Sequence, residues 1–386
     1  MLINANALAI PLAAKSVHTI VTSPPYYGLR NYNVDGQIGL EVTPDEYIAN
    51  LVAVFRECKR ILRDDGTLWV NIGDSYNGSA PNQSGQNGYN DGRENRDKRY
   101  STGGVNGLKP KDLIGIPWML AFALRADGWY LRQDIIWAKP NPMPESVKDR
   151  CTKSHEYIFL LSKSAKYYYD NEAVKEPVSD VSMKRAEYGW NCDRPSTKNG
   201  SMGGEGIHTE KMGSRFVDPA GRNKRDVWTV TTKPYKGAHY ATFNPELIKP
   251  CILAGAPETC CAKCGAPYER IVNRVVGTSK PCPKTQDAHE ARGGVGEPVG
   301  TVGKSGGGRI DGYSETLGYQ PTCDCNAGTS SGIVFDPFVG SGTTVATAIQ
   351  LGRKGIGIDL SFKYLQENAK VRVESAELPL LNFIEQ

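Results

Sequence analysis

Thr22-Ser23-Pro24-Pro25-Tyr26 puts a hydroxyl, a rigid double-proline turn and an aromatic ring within five residues. They follow Val17-His18-Thr19-Ile20-Val21, a short apolar run that reads as a buried strand, and consecutive prolines end its ladder. Ser23 and the Pro24 carbonyl could both accept hydrogen bonds from one amino group. Tyr26 offers a ring on which a base could stack once it leaves a duplex. An aromatic amine is a poor nucleophile because its lone pair is delocalised into the ring. Acceptors for both amino hydrogens would favour the pyramidal nitrogen that attacks a methyl group, and alignment would supply much of the remaining catalysis. The plain alternative is a structural turn.

A second ligand-type turn lies late in the chain, at Asp336-Pro337-Phe338-Val339-Gly340-Ser341-Gly342-Thr343-Thr344. It falls between a predicted strand and a predicted helix, where a doubly wound sheet binds its ligand. Gly340 and Gly342 would let the backbone turn tightly against that ligand. The free amides of the following helix would face an anionic group, with the Thr343 hydroxyl beside them. A dinucleotide fingerprint needs a third glycine at position 345, which is Val345, so nicotinamide and flavin lose support. Asp359 ends the next strand about 20 residues on, where an acid would accept ribose hydroxyls.

Four of the ten cysteines pair at short spacing, as Cys261-x-x-Cys264-Gly265 and Cys323-x-Cys325. Four thiolates suit a tetrahedral structural zinc, each pair forming one knuckle. The alternative is unpaired thiols in a loop, with Cys260 or Cys282 as substitute ligands. Full thiolate coordination leaves no open position for catalysis.

The elements that must position these groups read as an α/β chain. Thr43, Pro44 and Glu46 form a capping box before a helix whose apolar positions run from Tyr47 through Ile61 and Leu62. Asp64-Asp65-Gly66 stops it, and Thr67 to Ile72 is the next strand, a unit expected of a mostly parallel sheet. Further helices are expected from Ile116 to Arg125, from Pro245 to about Leu253 and up to Leu351. Strands are expected over 129–138, 155–162, 332–335 and 354–359. Residues 75–109, 176–235 and 258–327 lack apolar periodicity and read as a loop and two insertions.

With 386 residues, 39% of them hydrophobic, the chain can bury a substantial core. No apolar run nears the roughly 18 residues that span a bilayer, and Asn4 and Asn6 interrupt the opening segment. Neither a membrane partner nor a cleaved signal peptide is expected, and the cysteine pairing suits a reducing cytoplasm. The net charge of +4 permits an anionic partner. Two basic clusters, Arg93/Arg96/Lys98/Arg99 and Lys148/Arg150/Lys153, could serve one or could be solvated loops.

Taken together, these motifs resemble the beta group of DNA amino-methyltransferases, in which the catalytic motif precedes the cofactor motif. The resemblance covers most of residues 1–175 and 235–375. It includes Thr22 to Tyr26, Gly73-Asp74-Ser75-Tyr76, Lys139-Pro140-Asn141-Pro142, His239 to Pro245, and Asp336 to Thr344. It implies a doubly wound mixed sheet of seven strands, S-adenosylmethionine as cofactor, and a base flipped from double-stranded DNA. It makes Ser23, Pro24, Pro25 and Tyr26 catalytic. Asn6, Phe243, Asp336, Phe338, Gly340, Gly342, Thr343, Thr344 and Asp359 would bind cofactor, Asp336 at the methionine end. Relatives often carry an acid near the start, where this chain has Ile3-Asn4-Ala5-Asn6-Ala7. A serine before Pro-Pro-Tyr usually accompanies N4 methylation of cytosine, and an aspartate N6 methylation of adenine.

The expected organisation is then a catalytic half (1–175), a target-recognition insertion (176–235) and a segment packing on cofactor (236–257). A zinc-binding insertion (258–327) and a cofactor-binding half (328–386) follow. The resemblance leaves room for a homodimer and a cognate restriction enzyme. A cytosine C5 methyltransferase would need a cysteine just after proline in the catalytic region. Pro250-Cys251 and Pro281-Cys282 fall elsewhere. A non-catalytic zinc protein that binds nucleic acid would explain the basic loops and cysteines but not two ligand turns at strand ends. RNA and protein amine methyltransferases share related sheets, and the large insertions fit them less well.

Overall fold

A computed structural model of the protein describes residues 1–29, 31–32, 34–77, 108–109, 111–179, 181, 221–232, 244–280 and 309–381. Its elements are β1 (Leu2–Asn4), β2 (Val17–Thr22), α1 (Pro44–Ile61), β3 (Leu62–Ile72), α2 (Ile116–Ala126), β4 (Tyr130–Ala138), β5 (His155–Ser162), β6 (Val227–Thr229), α3 (Pro245–Gly255), β7 (Cys260–Cys261), β8 (Glu269–Lys280), β9 (Arg309–Gln320), β10 (Thr329–Ser330), β11 (Ile333–Asp336), α4 (Thr343–Gln350), β12 (Lys354–Asp359) and α5 (Lys370–Leu381). A π turn, Leu365–Ala369, leads into α5.

Eight strands form one sheet in the order β1-β12-β11-β2-β3-β5-β4-β6. Strand β5 runs antiparallel to both neighbours, and every other pair is parallel. The expected α/β class and mixed sheet are therefore present, with eight strands rather than seven. The short edge strands β1 and β6 span three residues each, too few for a periodic pattern to show.

Helix α1 forms where the capping box predicted. The Glu46 amide donates to Thr43 Oγ1 at 3.2 Å, and Glu46 Oε2 accepts from the Thr43 amide. Such a cap contributes about 1 kcal/mol. Its face of Tyr47, Leu51, Val54, Phe55, Cys58 and Ile61 is fully buried. The strand after it begins at Leu62, five residues earlier than expected. Asp64-Asp65-Gly66 is taken up as a bulge, because the register with β2 jumps from Val17↔Leu62 to Thr19↔Thr67.

Strands β2 and β3 are buried along nearly their whole length, so the sheet is covered on both faces. Leu68, Val70 and Ile72 pack with α1 and α2. Thr19 and Thr67 turn the other way, towards the end of α3, where a Cβ on Gly255 would meet both hydroxyls. The Gly73-Asp74-Ser75-Tyr76 motif has a structural task. Gly115, at the cap position of α2, has no side chain, and the Asp74 carboxylate accepts from the Gly115 and Ile116 amides instead.

The chain divides into two compact units. One comprises Met1–Ala173, Arg225–Tyr268 and Pro321–Gln386, and holds the eight-stranded sheet. The other comprises Val174–Lys224 and Glu269–Gln320. Within it β8 and β9 form an antiparallel hairpin, and Glu176 pairs with Arg222 through two backbone hydrogen bonds. Strand β6 lies at the edge of the main sheet, and Cys260, Cys261, Cys264, Cys323 and Cys325 belong to the main unit.

Candidate active site

Strands β2 and β11 are parallel neighbours, so the Ser23-Pro24-Pro25-Tyr26 loop and the glycine turn leave the same edge of the sheet side by side. One carboxylate joins them. Thr22 Oγ1 donates to Asp336 Oδ1 at 2.7 Å, Thr344 Oγ1 donates to Oδ2 at 2.7 Å, and the Phe338 amide donates to Oδ1 at 3.0 Å. Burial pushes this carboxyl up to about 6, against those three donors. Asp336 is 1% exposed and holds the two strand ends together through these bonds.

The threonines at the start of α4 also face inward. Thr344 is fully buried and Thr343 nearly so. The Thr343 hydroxyl bonds to Arg372 of α5 and lies 3.2 Å from Ser341 Oγ, so it is already engaged within the protein. The turn needs its glycines for geometric reasons. Gly342 has φ +80°, and a Cβ on it would stand 3.0 Å from the Ala369 backbone. Gly340 has φ +48°, and its amide donates to Asp359 Oδ2 at 3.1 Å.

Asp359 ends β12, next in the sheet beyond β11. It is partly exposed, burial raises its carboxyl, and its other oxygen accepts from the Ser361 amide at 2.8 Å. Beyond β12 lies β1, whose Asn4 aligns with Asp359. Asn6, two residues past β1, is exposed and caps the Leu8 amide at 2.9 Å. The ends of β1, β12, β11 and β2 therefore present Asn6, Asp359, the glycine turn and Ser23 in one row. Phe338 is partly buried against the core. Phe243 lies outside the described residues, as do Arg93, Arg96, Lys98 and Arg99.

Tyr26 is held by groups that the sequence did not single out. Its hydroxyl donates to Glu156 Oε2 at 2.7 Å, and Asn71 Nδ2 donates to the same oxygen at 3.2 Å. Lys139, from the expected Lys-Pro-Asn-Pro motif, pairs with the other oxygen of Glu156. Burial, reinforced by the Glu156 charge, raises the Tyr26 hydroxyl well above the ordinary phenol range, so it stays protonated. Gly73 permits the ring's approach, since a Cβ there would stand 2.8 Å from Tyr26 Cε2. Tyr47 of α1 donates to the Pro25 carbonyl at 2.7 Å and fixes the turn from beneath. Ser23 remains partly exposed. In the second basic cluster, Arg150 pairs with Glu145 and Lys153 donates to the Asp74 carbonyl, so both serve the loop itself.

Cys261, Cys264, Cys323 and Cys325 converge, with all four sulfurs within 4.8 Å of one another. In a tetrahedron with Zn–S of about 2.3 Å, sulfurs stand about 3.8 Å apart, so the set fits that ion with small adjustment. The amides of Cys264 and Lys263 draw the Cys261 thiol down to about 6, whereas the neighbouring thiols of Cys264 and Cys323 push Cys325 up to about 12. Four thiolates so close would repel without a cation. Cys260 is buried and outside the cluster, and Cys282 lies outside the described residues. Cys251 is fully buried within α3. The knuckle docks at the amino end of β2. The Ile333 amide donates to His18 Nδ1, leaving Nε2 to donate to the Gly265 carbonyl at 2.8 Å, and burial lowers the imidazole to about 4.

The fold and the paired strand-end loops define a class, and comparison with known proteins identifies it. The family described as DNA methylase, covering N6 and N4 enzymes, matches residues 17–260 and 326–370. The chain belongs to this family, the beta group of DNA amino-methyltransferases. The Type II methyltransferase M.Cfr9I of Citrobacter freundii is 50% identical over 246 residues, covering 63% of this chain and 67% of that one. M.SmaI of Serratia marcescens is 47% identical over 237 residues, covering 61% and 68%. Among solved structures, the PvuII DNA methyltransferase (cytosine-N4-specific) covers 99% of this chain and 92% of its own at 13% identity and a TM-score of 0.49. The M1.HpyAVI–SAM complex covers 96% and 98% at 14% identity and a TM-score of 0.40. Among the described residues no helix is long and apolar enough to cross a membrane.

Proposed function

We propose that this protein transfers a methyl group from S-adenosylmethionine to the N4 amino group of a cytosine flipped out of double-stranded DNA. The observation that carries the reading is the Thr22–Asp336–Thr344 bridge, which holds an amino-acceptor loop and a glycine turn at adjacent strand ends. Bound there, S-adenosylmethionine would supply an electrophilic sulfonium methyl. Gly340 and Gly342 leave backbone room for it, Phe338 flanks it, Asp359 accepts from its ribose, and Asn6 lies towards its adenine; the family resemblance alone assigns Phe243 to the cofactor. Thr343 and Thr344 shape the turn through their buried hydroxyls. Ser23 and the Pro24 carbonyl accept from the two amino hydrogens, Pro25 stiffens the loop, and Tyr26 stacks on the base.

The serine at position 23, rather than an acid, favours cytosine over adenine. The relatives are named Type II methyltransferases, which supports a restriction-modification setting with a cognate restriction enzyme. Target recognition is assigned to 176–235 and a structural zinc to Cys261, Cys264, Cys323 and Cys325. A homodimer is compatible with this reading. The test is mass spectrometry of nucleosides from duplex DNA incubated with protein and cofactor. N4-methylcytosine is expected; N6-methyladenine would move the acceptor to adenine, and unmodified DNA would reject the reading.

A further inference from the structure

Glu156 sits on β5, within the sheet, whereas Tyr26 sits on a loop. The Tyr26 hydroxyl donates to Glu156 Oε2 at 2.7 Å, Asn71 Nδ2 donates to the same oxygen, and Lys139 pairs with Oε1. The ion pair is mostly buried, with the two side chains 17% and 14% exposed, and the Lys139 ammonium stands 4.3 Å from the centroid of the Trp137 ring. Stability is a weak reason for keeping such a pair, because apolar replacements of similar volume often do as well or better. Positioning is a better one. A tyrosine ring turns about two torsions, and here its edge rests over Gly73 while its hydroxyl is tied to a strand. Both ends of the ring are thereby fixed before any base arrives.

We propose that Glu156 is a positioning residue for methyl transfer: paired with Lys139, it grips the Tyr26 hydroxyl from a rigid strand and so sets the plane against which the extruded base stacks. This rests on the reading of the protein as a DNA amino-methyltransferase. A glutamine at position 156 would keep the shape but turn its oxygen to Lys139 and offer Tyr26 an NH2 group, so the phenol would lose its short carboxylate acceptor and keep the longer one, Asn71 Oδ1 at 3.4 Å.

The experiment is a double-mutant cycle of Tyr26→Phe and Glu156→Gln. It reads kcat at saturating duplex DNA and cofactor, and cofactor Kd by calorimetry. Each single change is expected to lower kcat about tenfold while Kd stays within about threefold. The double variant should be no slower than the slower single one, because both changes remove the same restraint. Losses that multiply, or wild-type kcat in Glu156→Gln, would overturn the proposal. A residue that merely supported the fold would lower the melting temperature without this coupling. If Glu156→Gln does not fold, Glu156→Asp takes its place in the cycle with the same outcomes. Wild-type protein that methylates no DNA would overturn the methyltransferase reading and this proposal together. Wild-type turnover with multiplied losses overturns the proposal alone.

Discussion

Ser23 and Asp336 differ in burial: Ser23, the proposed acceptor, is partly exposed, and Asp336 is a buried brace. The Ser23 hydroxyl lies beside that of Tyr26, while Asp336 spends both oxygens on Thr22, Thr344 and the Phe338 amide. Ser23→Ala should therefore lower kcat for DNA methylation about a hundredfold, the order expected when a reacting group loses alignment. Cofactor affinity, read by calorimetry, should stay within about threefold. Unchanged turnover would remove Ser23 from the chemistry. Ser23 and Tyr26 were legible in the sequence because a double proline after an apolar run is a local signal. Glu156 and Asn71 were not, because each is a lone polar residue in a strand and gains meaning only from a neighbour far along the chain. The inward aim of Thr343 and Thr344 was hidden for the same reason.

Elements with strong local signals formed where expected: α1 from its capping box, α3 from the Asn244 cap, and β12 from Lys354 to Asp359. Edge strands β1 and β6 escaped notice because three residues carry no period, and their pairing partners lie over 80 residues away. The β8–β9 hairpin lay inside a stretch read by its glycine-rich middle, which masked the β-branched positions Ile271 and Val272. The cysteine knuckle was legible as spacing, but its docking onto His18 was not. Metal at this knuckle should add to stability, since binding that exists only in the folded state is folding free energy. The purified protein should carry one zinc per chain by atomic absorption, and Cys264→Ser should lose it. Stripping the metal should lower the unfolding midpoint by about 2–4 °C for each kcal/mol lost. Metal-free protein with an unchanged midpoint would contradict the assignment.

Across the whole main unit, the sheet separates two tasks. The knuckle meets β2 at His18, and the acceptor loop begins after Thr22, about 13 Å away along the strand at 3.3 Å per residue. Among the described residues, the groups proposed to meet a ligand gather at the carboxyl ends of β1, β12, β11 and β2, which is where parallel sheets bind ligands. This placement followed from the order of motifs in the chain, because both loops were expected at strand ends. Their adjacency depends on the strand order, which no local pattern reveals. The most direct measurement is a crystal structure of the protein with S-adenosylmethionine bound. The account predicts the ligand along those strand ends, its ribose at Asp359 and its methyl group directed towards Ser23. A cofactor seated on any other face, or with its methyl group turned away from Ser23, would contradict it.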